Sequence, residues 1–374
     1  MSIRFGKGSI HPSEARSLRD EATGAKIIQV TAHPSINHHL YFLTTSFTPD
    51  QKHLIFASYR SGEAQYFLSG FPQGEIVQLT DMRGVGGYSG VLSRDGKTLY
   101  YTASGEVRAL NLDDLGDRAL ASWDGGQLGE CSLSADGRWI ATAMKNNGLS
   151  KLTVTATDGS GGDVIFECPR TIIHPQFHPT EPDWLEYAQD PAPRMWMIRR
   201  DGSENACLYE HDNQEFIVHE TFLGPGEDLI YTVWPYALKR MNIATREAAI
   251  VAAFNAWHIA SDRLGKKILC DTNHPDTGLH LVDVCTGERR TLCLPGSSNR
   301  GSQWEKDRYA LKEDWEVQAR KDREQNLSWM EMKVDTVYGP QWTHPHPSFS
   351  PDERWAVYTS DASGHPQVYA VETV

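Results

Sequence analysis

The chain has 374 residues, 39% of them hydrophobic and 23% charged, with 36 Lys and Arg against 49 Asp and Glu for a formal net charge of −13. No window approaches ~18 consecutive apolar residues, which argues against a membrane span. An acidic balance with no basic run argues against a nucleic-acid partner. An anionic ligand would need a site that is locally positive against this acidic body, as a metal ion and a few arginines would supply.

The N-terminal residues lead into polar sequence rather than an apolar signal core. The six cysteines (Cys131, Cys168, Cys207, Cys270, Cys285, Cys293) include no C-x-x-C pair. Both features predict a cytoplasmic protein with reduced thiols.

From residue 47 onward the chain repeats one pattern: an apolar residue, a short polar turn, then an apolar strand. The turns begin at Phe47, Leu92, Leu133, Phe177, Phe222, Ser261 and Phe349, at spacings of 45, 41, 44, 45, 39 and 88 residues. Further strand candidates lie between them, at Val107–Leu112, Met195–Arg199 and Leu279–Val284. Four strands per unit at this period predict an all-β fold, a seven-bladed β-propeller. The last unit stops one strand short at Val371, and Ile27–Thr31, preceded by Thr23-Gly24, reads as the missing outer strand. The predicted domain is therefore one propeller over 1–374, sealed by its N- and C-terminal strands. The long final spacing marks an insertion at 296–340, charged with scattered Trp, Leu and Met, which reads as partly helical.

Stepping back three residues from each turn gives Thr44, Ser89, Glu130, His174, His219, His258 and His346. Four blades thus offer histidine at one position, on the strand that lines a propeller's channel. His344 points the same way as His346, since Pro345 and Pro347 hold the segment extended, and Gln341 offers an amide oxygen nearby. Strand direction puts the loops between second and third strands on the same face, with Arg60, Lys145, Arg194 and His274. The 296–340 insertion emerges there too, placed to act as a lid. Three imidazoles and an amide suit Mn²⁺, Fe²⁺, Ni²⁺ or Zn²⁺ rather than Ca²⁺ or Mg²⁺. No H-E-x-x-H, G-x-S-x-G, P-loop or dinucleotide fingerprint occurs in the chain.

Ile173-His-Pro-Gln-Phe-His-Pro179, Arg194-Met-Trp196, His219-Glu220, His258 and Gln341-x-x-His344-Pro-His346-Pro-Ser-Phe349 together resemble the oligogalacturonate lyases of bacterial pectin breakdown. That resemblance implies a seven-bladed propeller with a manganese-type ion on His258, His344, His346 and Gln341. It implies His219 as the base and Arg194 as partner of the anionic substrate. Short, usually 4,5-unsaturated galacturonides would be cleaved by β-elimination to ketouronate monomers. His174, by its register, and Arg60 and Lys145, by strand direction, are expected as further substrate contacts. His274 stays open as a ligand in place of His258. Two other readings stand beside this one: a lyase for another uronate-bearing oligosaccharide, and a non-catalytic propeller that binds partners.

Overall fold

The structure, a computed structural model, describes residues 5–212, 214–273, 275–298 and 343–374. Seven antiparallel sheets follow one another, and each runs outward from a strand on the central axis. The innermost strands include Asn37–His39, Gln127–Leu133, Thr171–Phe177, Ile217–Leu223, Ala256–Ser261 and Ser348–Phe349. The expected seven-bladed propeller is the fold.

Polar turns start each blade for a local reason. Thr48, Ser93, Ser134 and Ser350 donate their hydroxyls to Asp50, Asp95, Asp136 and Asp352 at 2.6–2.7 Å. Each carboxylate also accepts a backbone N–H from the residue two further on. These Ser/Thr-x-Asp turns are self-sufficient, which explains why they recur where the inner strand hands over to the second in blades one, two, three and seven.

Second strands such as His53–Ser58, Asp228–Val233 and Trp355–Ser360 are buried on both faces beyond their first residue. They read as unbroken apolar runs because a neighbouring blade covers each side. The outer strand Arg16–Arg19 is exposed throughout.

Ring closure follows expectation. Lys26–Gln29 pairs antiparallel with Gln367–Glu372, Ile27 opposite Val371, and Arg16–Arg19 adds a fifth strand outside it. Ile27 packs with Leu269, Leu281 and Tyr358, while Ile28 packs with Leu54, Phe56 and Phe67. The closing strand therefore buries its two faces against blades six and one. The turn before it repeats that of blade six: Asp20 and Asp283 each accept the N–H groups two and three residues on. Both turns end in a glycine at positive φ, Gly24 at +74° and Gly287 at +71°. A Cβ on Gly287 would also meet the carbonyl oxygen of Val251 at 2.4 Å.

Among the described residues no α-helix is present. The partly helical reading of the 296–340 insertion falls outside the described residues beyond Ser298.

Candidate active site

Four inner strands carry an irregularity in the same place. In blades three to six the pairing with the second strand slips by one residue between Leu128 and Cys131, Ile173 and Gln176, Ile217 and Glu220, and Ala256 and Ile259. Each slip is a β-bulge, which bends the strand and re-aims a side chain. Glu130, His174, His219 and His258 all lie inside these bulges. The shared register of histidines is thus a shared bulge at the channel wall.

His346 stands two residues before its inner strand. His174 and His346 adopt left-handed backbone, at φ 53° and 48°, each followed by proline. Non-glycine residues rarely hold this conformation, at a cost of roughly 1–3 kcal/mol each, and such outliers concentrate at functional sites.

The imidazoles converge. Ring centroids are 3.9 Å apart for His258 and His346, 4.3 Å for His219 and His258, and 5.5 Å for His258 and His344. His174 lies 5.6 Å from His219. All five rings are at most 4% exposed. One ligand nitrogen from each of His258, His344 and His346 falls within 4.8 Å of the others.

Hydrogen bonds settle which nitrogens face the cluster. His258 Nδ1 is 2.7 Å from Asp271 Oδ2, and His346 Nδ1 is 3.0 Å from the His344 carbonyl. Both acceptors require N–H at Nδ1, which leaves each Nε2 as a lone-pair donor. His346 Nε2, fully buried, has no partner among the described residues. Two Nε2 atoms and a third imidazole fit a divalent metal of the borderline class, and they suit an all-oxygen cation poorly.

Burial, and then the neighbouring imidazoles, hold His219, His258 and His346 well below the usual histidine range, so all three are neutral. Burial likewise pushes the Asp271 carboxyl up to about 7 against the opposing N–H groups of His258 and His346. His219 Nδ1 is buried without a partner among the described residues.

Arg194 stands at the edge of the cluster and is 1% exposed. Its Nε donates to Glu220 Oε2 at 2.6 Å, its Nη1 to Asp190 Oδ1 at 2.8 Å, and its Nη2 lies 3.2 Å from His174 Nδ1. Burial pushes Glu220 up, but the Arg194 charge and His174 outweigh it and bring the carboxyl down to about 2. Glu186, buried nearby, is driven well above the usual range by burial and by the charge on Glu220. One carboxylate of this pair is ionised and the other is neutral.

Blade one departs from the register. Seven residues, Leu40–Ser46, separate its inner strand from the turn, so Thr44 lies on this loop and not at the histidine position. The loop delivers Phe42 onto the axis, with its ring 5.1 Å from His258, 5.3 Å from His219 and 6.3 Å from His346. Tyr41 places its hydroxyl 2.9 Å from His174 Nε2. Blade one also contributes His39, whose Nε2 lies 2.6 Å from the His346 carbonyl.

The structure therefore brings together His174, His219, His258, His344, His346 and Arg194. Arg60 is instead ion-paired to Glu14 at 2.8 Å and donates to Asn37. Lys145 lies buried on the second strand of blade three, opposite Gln127. Gln341 and His274 lie outside the described residues. Sequence reasoning missed Asp271, Tyr41 and Phe42. No motif marks them, although Asp271 ends the apolar run Ile268–Cys270 on a buried second strand.

Comparison with known proteins gives one consistent result. The sequence profile of the oligogalacturonate lyase family matches residues 6–140 and 163–374. The chain is 22% identical to an oligogalacturonide lyase of Pectobacterium atrosepticum and 23% identical to an oligogalacturonate lyase of Dickeya dadantii, each match covering 98% of this chain and 97% of the relative. A solved oligogalacturonate lyase in complex with manganese superposes with a TM-score of 0.80 at 20% identity, over 98% of both chains. A second, from Vibrio parahaemolyticus, gives 0.79 at 20% identity over 99% of both. At that identity the solved structures speak to the fold.

Proposed function

Because this chain belongs to the oligogalacturonate lyase family, we propose that it is a metal-dependent lyase that cleaves short, unsaturated galacturonides by β-elimination to ketouronate monomers. The observation that carries this reading is the juxtaposition of the neutral His219 with the His258–His344–His346 cluster, 4.3 Å from His219 to His258 between ring centroids. The three imidazoles would hold a divalent cation, Mn²⁺ being favoured by the manganese complex of the related structure. Gln341 is assigned as a fourth ligand on its sequence motif alone.

The reaction removes the proton on C5 of a uronate, breaks the C4–O4 bond so that O4 takes up a proton and leaves as the hydroxyl of the other sugar, and leaves a C4=C5 double bond, whose monomer opens to the keto form. A bound divalent cation would supply electron withdrawal from the C5 carboxylate, a contribution of several kcal/mol. The remaining work falls to side chains of this chain. His219 is buried and neutral, as a base must be before it takes a proton, and such a group contributes ~10²–10⁴-fold. Phe42 and Trp257 pack against the His219 ring and keep water from it. Arg194 provides a fixed positive charge in a low-dielectric wall, oriented by Asp190 and Glu220. From there it would pair with the substrate carboxylate. His174 lines the same wall.

The test is release of keto-uronate from unsaturated digalacturonate with Mn²⁺ added or with chelator present. Metal-dependent release supports the reading, and full turnover by metal-free protein sinks it. His219→Ala should lower kcat by ~10²–10⁴-fold while leaving Mn²⁺ binding intact.

A further inference from the structure

Asp271 does something at the cluster that the fold does not require. In each of the four bulged blades one residue of the second strand faces the bulge: Ala143, Tyr187, Thr232 and Asp271. Alanine, tyrosine and threonine serve there without disturbing the bulge. Only the blade that carries His258 has an acid at that place.

The carboxylate is 1% exposed and fully used. Its Oδ1 accepts the backbone N–H of His258 at 2.7 Å, which the bulge has released from strand pairing. Its Oδ2 accepts from His258 Nδ1 at 2.7 Å and from the backbone N–H of His346, on the next blade, at 3.2 Å. One buried side chain therefore fixes the ring of one candidate ligand, its backbone and the backbone of a second. The three imidazoles and the expected amide bring no negative charge to a divalent cation. Asp271 places a carboxyl group within a hydrogen bond of the ligand ring.

We propose that Asp271 is the positioning residue of the metal centre, locking His258 with Nε2 turned to the cation and tying blades six and seven into one ligand set. This rests on the metal-dependent reading above. A carboxylate on the far nitrogen of a ligating imidazole raises its basicity, and removing such a partner costs 10–100-fold in metal affinity.

The experiment is titration of metal-free protein with Mn²⁺ alone, following free Mn²⁺ by electron paramagnetic resonance. Asp271→Asn keeps the shape of the side chain and removes its charge. Its Mn²⁺ dissociation constant should rise roughly 10–100-fold, and binding as tight as in the unsubstituted protein would overturn the proposal. A second measurement needs no variant. In ¹⁵N-histidine-labelled, metal-free protein, long-range ¹H–¹⁵N correlations should show His258 protonated at Nδ1, and protonation at Nε2 would overturn the assignment. Failure of the unsubstituted protein to bind Mn²⁺ would sink the functional reading instead, while the His258 tautomer still decides the role of Asp271.

Discussion

The hydroxyl of Tyr41, from blade one, lies 2.9 Å from Nε2 of His174, from blade four, so one hydrogen bond crosses the central channel. Tyr41 is 3% and His174 4% exposed. Both partners sit on irregular backbone, Tyr41 on the seven-residue loop and His174 at φ 53°. The bond therefore joins two segments that regular strand pairing does not hold.

Tyr41→Phe removes this hydroxyl and leaves a buried imidazole nitrogen unpaired. The expected loss is about 1–3 kcal/mol of unfolding free energy, read from denaturant midpoints at unchanged slope. A variant as stable as the parent would show that the channel-spanning bond contributes nothing to folding.

Phe42 packs its ring on four histidines at once and is 2% exposed. Phe42→Ala should cost about 3–5 kcal/mol and let water reach the rings from the channel side. Retention of full stability together with full turnover would mean that the plug is dispensable.

Arg194 is held by two buried carboxylates, so removing it leaves Asp190 and Glu220 uncompensated. Arg194→Ala should destabilise by about 3–5 kcal/mol. A double variant, Arg194→Ala with Glu220→Gln, should recover part of that loss but not the activity. Recovery of both would reduce Arg194 to a structural ion pair and remove it from the catalytic reading.

Acid should unfold the protein through its buried imidazoles. His38 and His39 are fully buried, and burial lowers them to about 4 and about 3, His39 being eased slightly by the His346 carbonyl. These folded values lie below 6.5, so unfolding takes up protons once the pH drops beneath that value. The stability they contribute is complete above about pH 6.5. It is lost as pH falls towards 4 for His38 and towards 3 for His39, at ~1.4 kcal/mol per pH unit for each proton. For His38 alone the window amounts to about 3 kcal/mol. His38→Asn should flatten the slope of stability against pH between 6.5 and 4 by close to one proton, and an unchanged slope would refute the assignment.

Much of the fold was legible because its units are locally self-sufficient. The Ser/Thr-x-Asp turns close on their own atoms, so they keep one spacing whatever surrounds them, and the Asp-x-x-Thr-Gly turn at Asp20 announces the closing strand in the same way. The convergence of His174, His219 and His258 was legible too, because one bulge recurs in register, and His346 keeps the same spacing from its turn without one.

Blade one escaped this logic. Its extra residues between His39 and Phe47 break the spacing, so Thr44 was matched to a position that the loop had vacated, and the Tyr41-Phe42 pair looked like ordinary apolar sequence. Asp271 was invisible for another reason. Its meaning comes from the unpaired N–H groups of a neighbouring strand and of the next blade, which no one-dimensional pattern records. Arg60 was placed by strand direction correctly on its loop, but Glu14, far away in sequence, claims its guanidinium.

The seam of the ring also sets an order of events. His344 and His346 enter through the last sheet, whose inner strands come from residues 348–372 and whose outer strands come from residues 16–29. A chain emerging from the ribosome holds the outer strands from the start and must keep them waiting for partners more than three hundred residues away. The His258–His344–His346 cluster can form only after synthesis has passed residue 346, beside the sheet that joins the N- and C-terminal strands. The proposed cation site and the closure of the ring therefore depend on the same last-made sheet.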